Sequence, residues 1–453
     1  MRSRFPAALA LSALLAPVAA GYLTTQATLG PGRKYTSIER MKPERLRAAN
    51  RDRLRIAAVR KRVKLSLGLN DYRAVLHAHA GDSSHTPGTR PELLAAAKQA
   101  GVQIIMLSDH VRPERDFIDD SWRGIREGVL FIPGAESEGF LVYPQASIRG
   151  RKWDSRDAYV RMIKEGGGNI FLSHVEEKLD WPAAGFDGLE IYNHHTDIKD
   201  EGPFLLWLRA GLTDAVRLAG LQQALADYPQ EVFAAQQDYL ASIIAKWDRD
   251  AQTHRLTGVA ANDCHHNQVF TITAVDENTV ELGYITSRQT SSRVTTAQVP
   301  GVAHLVRGRK PGELIAKLDL DPYERSLRYV TTHILAEELT ERAVREALRG
   351  GRAYVAHDWL CDPTGFAVGA WVKGARRAAM GDEVALSSGL KIRVESPVRS
   401  ILKLFHNGEE VVRTIDDNLD FEPVKTGVYR LEAWLEVDGE ERPWVYANPI
   451  YVR

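Results

Sequence analysis

The chain has 453 residues, with 59 Lys+Arg against 59 Asp+Glu, and 44% of its residues are apolar. At about 150 residues per domain this allows two or three domains, and the composition excludes a disordered chain, a collagen-like fibre and a multi-span membrane protein. The neutral balance gives no reason to expect a nucleic-acid partner. Two cysteines, Cys264 and Cys361, exclude a disulfide scaffold and a cysteine-based zinc ribbon, so a bound metal must be held by carboxylates and some of the 14 histidines.

The chain opens Met-Arg-Ser-Arg, followed by an apolar run from Phe5 to Ala20 that ends Val18-Ala19-Ala20-Gly21. Small residues before Gly21 predict a secretory signal over 1–20, cleaved after Ala20, and hence a periplasmic or secreted protein. A membrane anchor is the alternative. The run is shorter than the ~20 residues a spanning helix needs, and Pro17 interrupts it. No membrane span is expected after the signal is removed. Residues 21–70 form a basic extension. Within it, Arg40, Arg45, Arg53, Arg60 and other cations accompany a thin apolar stripe of Leu46, Leu54, Ile56, Ala57 and Val63. This predicts a solvated helix packed on the outside of the main domain; a polyanion-binding helix is the sharper alternative.

Residues 71–352 alternate short apolar runs with helical stretches. Strands are predicted at Ala74–Leu76, Gln103–Leu107, Val129–Ile132, Ile170–Leu172, Gly188–Tyr192 and Gly258–Ala261. Thr89-Arg90-Pro91-Glu92 is a capping box opening a helix that Gly101 closes. Strands alternating with helices predict an α/β fold around a parallel sheet, closed or open. A helical insertion, 203–250, separates two of the strands. It presents Leu240, Ile243, Ile244 and Trp247 on one face. Val269–Ala297, rich in Thr and Val, reads as a β-hairpin excursion, and a helix is expected over Thr340–Leu348. Over 353–453 the pattern changes. Tyr429, Leu431, Ala433, Leu435 and Val437 alternate strictly, and Asn407-Gly408 and Asp438-Gly439 are hairpin turns. Leu390–Val394, Leu402–Phe405 and Val445–Val452 complete a small β-sandwich of immunoglobulin type.

The histidines follow the strands. His77, His79 and His85 come after the first, Asp109-His110 after the second, Glu136 after the third, His174 after the fourth, and Asp263-Cys264-His265 after the last. Each strand so delivers a ligand type at its C-terminal end, where βα barrels assemble their sites. On an extended strand residues i and i+2 share a face, so His77 and His79 reach one ion, and Asp263 and His265 repeat that spacing. Imidazole with carboxylate suits Zn²⁺, Mn²⁺ or Fe²⁺. Asn193, His194 and His195 follow the strand ending at Tyr192 and are candidates for substrate contact or for supporting the ligands. Arg112, with Arg115, could hold a phosphate or carboxylate, or be an ordinary surface arginine. Cys264 reads as packing behind its strand. His266 points elsewhere, and His254, His304, His333, His357 and His406 read as surface or core histidines.

This ordered set, His-x-His, a third His, Asp-His, Gly-x-Glu, His, Asp-x-His, resembles the PHP family (polymerase and histidinol phosphatase) over Val75 to His266. The resemblance implies a distorted (β/α)7 barrel with the helical insertion, followed by the C-terminal β-sandwich. It also implies two or three divalent ions (Zn, Mn or Fe) and a metal-activated water. The activity implied is hydrolysis of a small-molecule ester, in the first place a phosphoester. Carried over, His77, His79 and Asp263 would bind one ion. Glu136 would bridge to a second, held by His174. His85, His110 and His265 would hold a third. The family usually carries a further His between the Glu and the next motif His. No His lies between Glu136 and His174, and Glu138, His194 or His195 could take its place. The signal sequence and the sandwich, with Pro443-Trp444-Val445-Tyr446, resemble the exported branch that includes carbaryl hydrolase-like enzymes. That makes a carboxylic or carbamate ester hydrolase the first alternative. A non-catalytic exported module binding metal or ligand is the second.

Overall fold

The computed structural model describes residues 29–83, 86–183, 185–199, 201–284 and 291–453. The proposed signal segment and His85 lie outside these residues. Among the described residues no helix is long and apolar enough to cross a membrane.

The chain is mixed α/β with a second, β-rich part. Seven strands position the site: β1 Asn70–Ala78, β2 Ile104–Leu107, β3 Val129–Ile132, β4 Phe140–Tyr143, β5 Asn169–Leu172, β6 Gly188–Asn193 and β7 Thr257–Ala261. From β2 onward every residue of these strands is buried, which is why those expected from the sequence read as short continuous apolar runs rather than alternations; β4 was not among the expected strands. β1 pairs in parallel with β2, and β2 with β3. The short extensions Asp109–His110 and Ala135–Ser137 continue that pairing. Ala135–Ser137 turns back antiparallel onto β4, and β4 pairs antiparallel with β5. β5, β6 and β7 are parallel. Just past β7, Cys264 bridges Ala78 of β1, and His79 N donates to Cys264 O at 3.0 Å. The succession of pairings therefore returns to the strand from which it began.

Helices form where the sequence signals them. Thr89 caps Arg90–Ala100 through a full capping box with Glu92, and Gly101 ends it at φ 71°. Glu341–Arg349 starts after Thr340, whose hydroxyl accepts Ala343 N–H. The insertion holds Gly202–Gly211, Ala215–Asp227, Pro229–Phe233 and Ala241–Asp250, with Ile243, Ile244 and Trp247 buried. The excursion is more than the expected hairpin: Val269–Asp276, Thr279–Tyr284, Ser291–Thr295 and Leu314–Asp319 form one four-stranded antiparallel sheet, the last strand lying beyond the expected segment.

On its other edge β1 pairs antiparallel with β8 (Thr331–Ala336), and β8 with β9 (Ala353–Ala356). β9 pairs in turn with Glu440–Ala447 of the β-rich part. One hydrogen-bonded sheet thus runs from the first part into the second. Two differences from the sequence expectation stand out there. Leu390–His406 is a single 17-residue strand rather than two, and Glu409–Phe421, an exposed polar strand, pairs along it. The 445–452 run is split at Asn448-Pro449. There the Asn448 side chain binds Gly258 N and O and Ala353 O, tying both parts together. Both expected hairpin turns are present, with Asn407-Gly408 and Asp438-Gly439 at positive φ, as type I′ turns require.

Candidate metal centre

The C-terminal ends of β1, β2, β3, β5 and β7 bring together three overlapping sets of ligand atoms. They are His79, His110 and His265; His77, His79 and Glu136; and His77, His174 and Asp263. Within each set the atoms lie within 4.8 Å of one another. Seven of the eight predicted metal ligands therefore converge; the eighth, His85, lies outside the described residues. The local backbone turns sharply to achieve this. His174 and Asp263 adopt left-handed backbone at φ 44° and 49°, a conformation that costs an L residue about 1–2 kcal/mol and clusters at functional sites.

Two buried carboxylates that the sequence reading did not assign set the ring orientations. His77 Nδ1 donates to Glu190 Oε1 at 2.7 Å. Glu190 Oε2 also accepts His174 N–H at 2.8 Å and the Asn193 amide at 2.9 Å. Asp82 Oδ2 accepts from His79 Nδ1 at 3.1 Å and from His110 Nδ1 at 2.6 Å. With the Nδ1 proton fixed, the Nε2 lone pair is free to face inward. Nε2 of His77 and of His79 is indeed buried without a hydrogen bond. The rings of His110 and His265 both stack against His79, at 4.3 and 4.1 Å, and lie 5.7 Å from each other.

Glu136 reaches across the centre, with Oε1 3.0 Å from His174 Nε2 and Oε2 3.7 Å from His77 Nε2. Asp263 Oδ1 is 3.3 Å from His77 Nε2. Burial would raise these carboxyls, yet the surrounding imidazoles hold both well below the ordinary range. Conversely, burial would depress His77, but Asp263 and Glu190 push it up to about 10. His79 is likewise pushed up to about 9 against burial, by Asp263 and Asp82. The centre is thus a buried set of carboxylates that favours positive charge among imidazoles. Buried polar atoms without partners are costly, and divalent ions meet both demands. The residues present therefore fit a multinuclear centre of nitrogen and oxygen ligands.

The remaining candidates separate. His195 Nδ1 lies 3.2 Å from Asp263 Oδ2. His194, its neighbour, packs instead on Phe233 and Tyr329, with Gln236 against its ring nitrogens. Burial pushes its imidazole down to about 3. Asn193 supports the centre indirectly, through Glu190 and through His195 N–H, which its Oδ1 accepts at 2.8 Å. Arg112 pairs with Glu114 at 3.8 Å, whereas Arg115 reaches Asp109 at 3.2 Å. Cys264 is buried, and burial pushes its thiol well up, so it supplies no thiolate. His266 binds Asp319 at 3.1 Å, away from the ligand sets.

No family model matches the chain, and no curated protein matches it. Among solved structures it is similar to a two-domain protein from Bacteroides vulgatus that contains a predicted PHP-like metal-dependent phosphoesterase. That similarity has 13% identity and a TM-score of 0.33, over 86% of this chain and 98% of that one.

Proposed function

We propose that this chain is an exported metal-dependent phosphoesterase that hydrolyses a small-molecule ester with water as nucleophile. One observation carries the reading: three overlapping ligand sets, with His77 and His79 buried and the other five members partly buried, meet where β1, β2, β3, β5 and β7 end. We read the ring of pairings as the distorted (β/α)7 barrel expected from the sequence. His77, His79, His110, Glu136, His174, Asp263 and His265 would hold the ions. Bound divalent ions supply Lewis-acid charge that makes water a competent nucleophile near neutral pH. The chain's own work is positional. Glu190 and Asp82 fix the imidazole tautomers, and Glu136 spans neighbouring sets. With its thiol kept protonated, Cys264 is no competing nucleophile. A phosphate group fits several ions better than a carboxylic ester does, since it offers several anionic oxygens to share among them.

The test is hydrolysis of p-nitrophenyl phosphate, a phosphodiester and a carboxylic ester by protein loaded with Zn²⁺ or Mn²⁺. Phosphate release that a chelator abolishes, and that Asp263→Asn cuts by about 100-fold or more, is the expected result. Turnover of the carboxylic ester alone would move the reading to a carboxylic or carbamate esterase. Export is checked by N-terminal sequencing of secreted protein, which should begin at Gly21.

A further inference from the structure

The helical insertion and the β excursion enclose an apolar cavity of about 510 Å³, its mouth included. Small-molecule sites typically measure roughly 300–1,000 Å³. One wall is the helix Gly202–Gly211, where Leu205, Leu208 and, just past its end, Leu212 recur three and four residues apart and so share a face. Leu221 and Leu225 of the helix Ala215–Asp227, four apart, extend it. The other wall is the excursion sheet, where Phe270 and Leu318 are cross-strand partners. Apolar faces of this kind normally close on each other, since folded interiors hold few voids larger than a water molecule. Here they do not close, and Leu205, Leu208 and Leu225 stay only partly buried.

Among the described residues lining the cavity, only Arg209 and Gln268 are polar. Gln268 is held by its neighbours: its Nε2 donates to Asn267 Oδ1 at 3.0 Å, and its backbone N–H to Asp321 Oδ1 at 2.6 Å. Arg209 is the one cation of that lining, placed between Leu208 and Leu212 on the leucine face of its helix. It is partly buried, and burial pushes its guanidinium below the ordinary range. An anion in the cavity would return the stabilisation that this partial loss of water removes. A single guanidinium fork matches a single carboxylate, two N–H groups to two oxygens. The lining thus combines an extended apolar surface with one positive charge, the complement of a molecule that is a long apolar chain with one negative charge.

We propose that this cavity is a binding site for an amphiphilic monoanion, an apolar chain lying along the leucines with its carboxylate on Arg209. The site does not depend on the hydrolase reading above, and its test reads binding rather than turnover. The full chain is titrated calorimetrically with hexanoate, octanoate and decanoate, and with 1-octanol as the uncharged counterpart. Gln268 stands only three residues past His265, so acetate is kept in excess throughout to occupy any carboxylate site at the metal centre. Saturable binding at one site per chain is expected, tightening about 3- to 4-fold for each added methylene. Arg209→Gln should weaken octanoate about 10-fold and leave 1-octanol unchanged. Leu208→Trp, which fills the cavity, should abolish binding of both, with far-UV circular dichroism verifying its fold. Should that variant not fold, the chain-length series and Arg209→Gln decide alone. Absence of saturable decanoate binding overturns the proposal. So does binding that ignores chain length, or octanoate binding that Arg209→Gln leaves unchanged, because the anion then sits elsewhere.

Discussion

At the scale of single residues, the chemistry of the centre was legible wherever a ligand follows directly on a strand. The His77-x-His79 spacing was legible from strand periodicity, whereas Glu136, His174, Asp263 and His265 were legible only as ligand types following directly on strands. His174 and Asp263 turn into left-handed backbone, so the i, i+2 geometry expected for Asp263-x-His265 does not hold and the two join different ligand sets. Asp82 and Glu190 were not legible. Asp82 sits in a loop, where no periodicity applies. Glu190 stands inside a strand whose every residue is buried, so no alternation marked it. Its one readable signal is a carboxylate within an otherwise apolar run, Gly188-Leu189-Glu190-Ile191-Tyr192, since a buried acid needs a partner. Glu190→Gln tests its role as a positioning residue. The amide keeps the shape but weakens the bond that fixes His77, so metal affinity should fall by about 10- to 100-fold. Isothermal titration with Zn²⁺ measures this, with Glu190→Asp expected to recover part of the loss. Unchanged affinity in Glu190→Gln would deny the carboxylate that role.

At the scale of elements, the strands and caps were legible because short buried runs and capping boxes are local signals. The register that builds the core was not. His333 on β8 shows the difference. It read as a core or surface histidine, and it is buried between Asp71 Oδ1 at 2.7 Å and Asp358 Oδ1 at 3.1 Å. Burial would lower its imidazole, but Asp71 and Asp358 push it up to about 9. The unfolded value is about 6.5. The folded pKa is the higher one, so this stabilisation is complete below about pH 6.5 and is lost as pH rises through about 9. The melting temperature should therefore fall by a few degrees between about pH 7 and pH 9. His333→Gln should start lower and show a smaller fall over the same range. An equal fall in both proteins would assign the pH dependence to other groups.

At the scale of the whole molecule, the change from an α/β part to a β-rich part was readable from changes in pattern. The joints between them were not, because they are ion pairs and edge pairings between residues far apart in sequence. Arg40, read as one cation in a solvated helix, is buried against Glu440, with bonds at 2.9 and 3.1 Å. Arg442 joins the same carboxylate at 2.8 Å. Arg33 pairs with Glu201 and Arg53 with Glu231, both at 2.8 Å. The extension thus clamps the insertion and the β-rich part, and these cations are spent internally rather than offered to a polyanion. Removing the shared carboxylate strands two buried guanidinium groups, so Glu440→Gln should destabilise the protein by about 3–5 kcal/mol in chemical denaturation. A change below about 1 kcal/mol would mean that water reaches the cluster.

The central claim is that the strand ends form a centre holding at least two divalent ions. Elemental analysis of purified protein, before and after chelation and reloading, tests it most directly. Native protein is expected to hold at least two ions per chain, Asp263→Asn at most one, and His406→Ala the native content. Native content in Asp263→Asn, or no metal in the native chain after loading with Zn²⁺ and Mn²⁺, would contradict it.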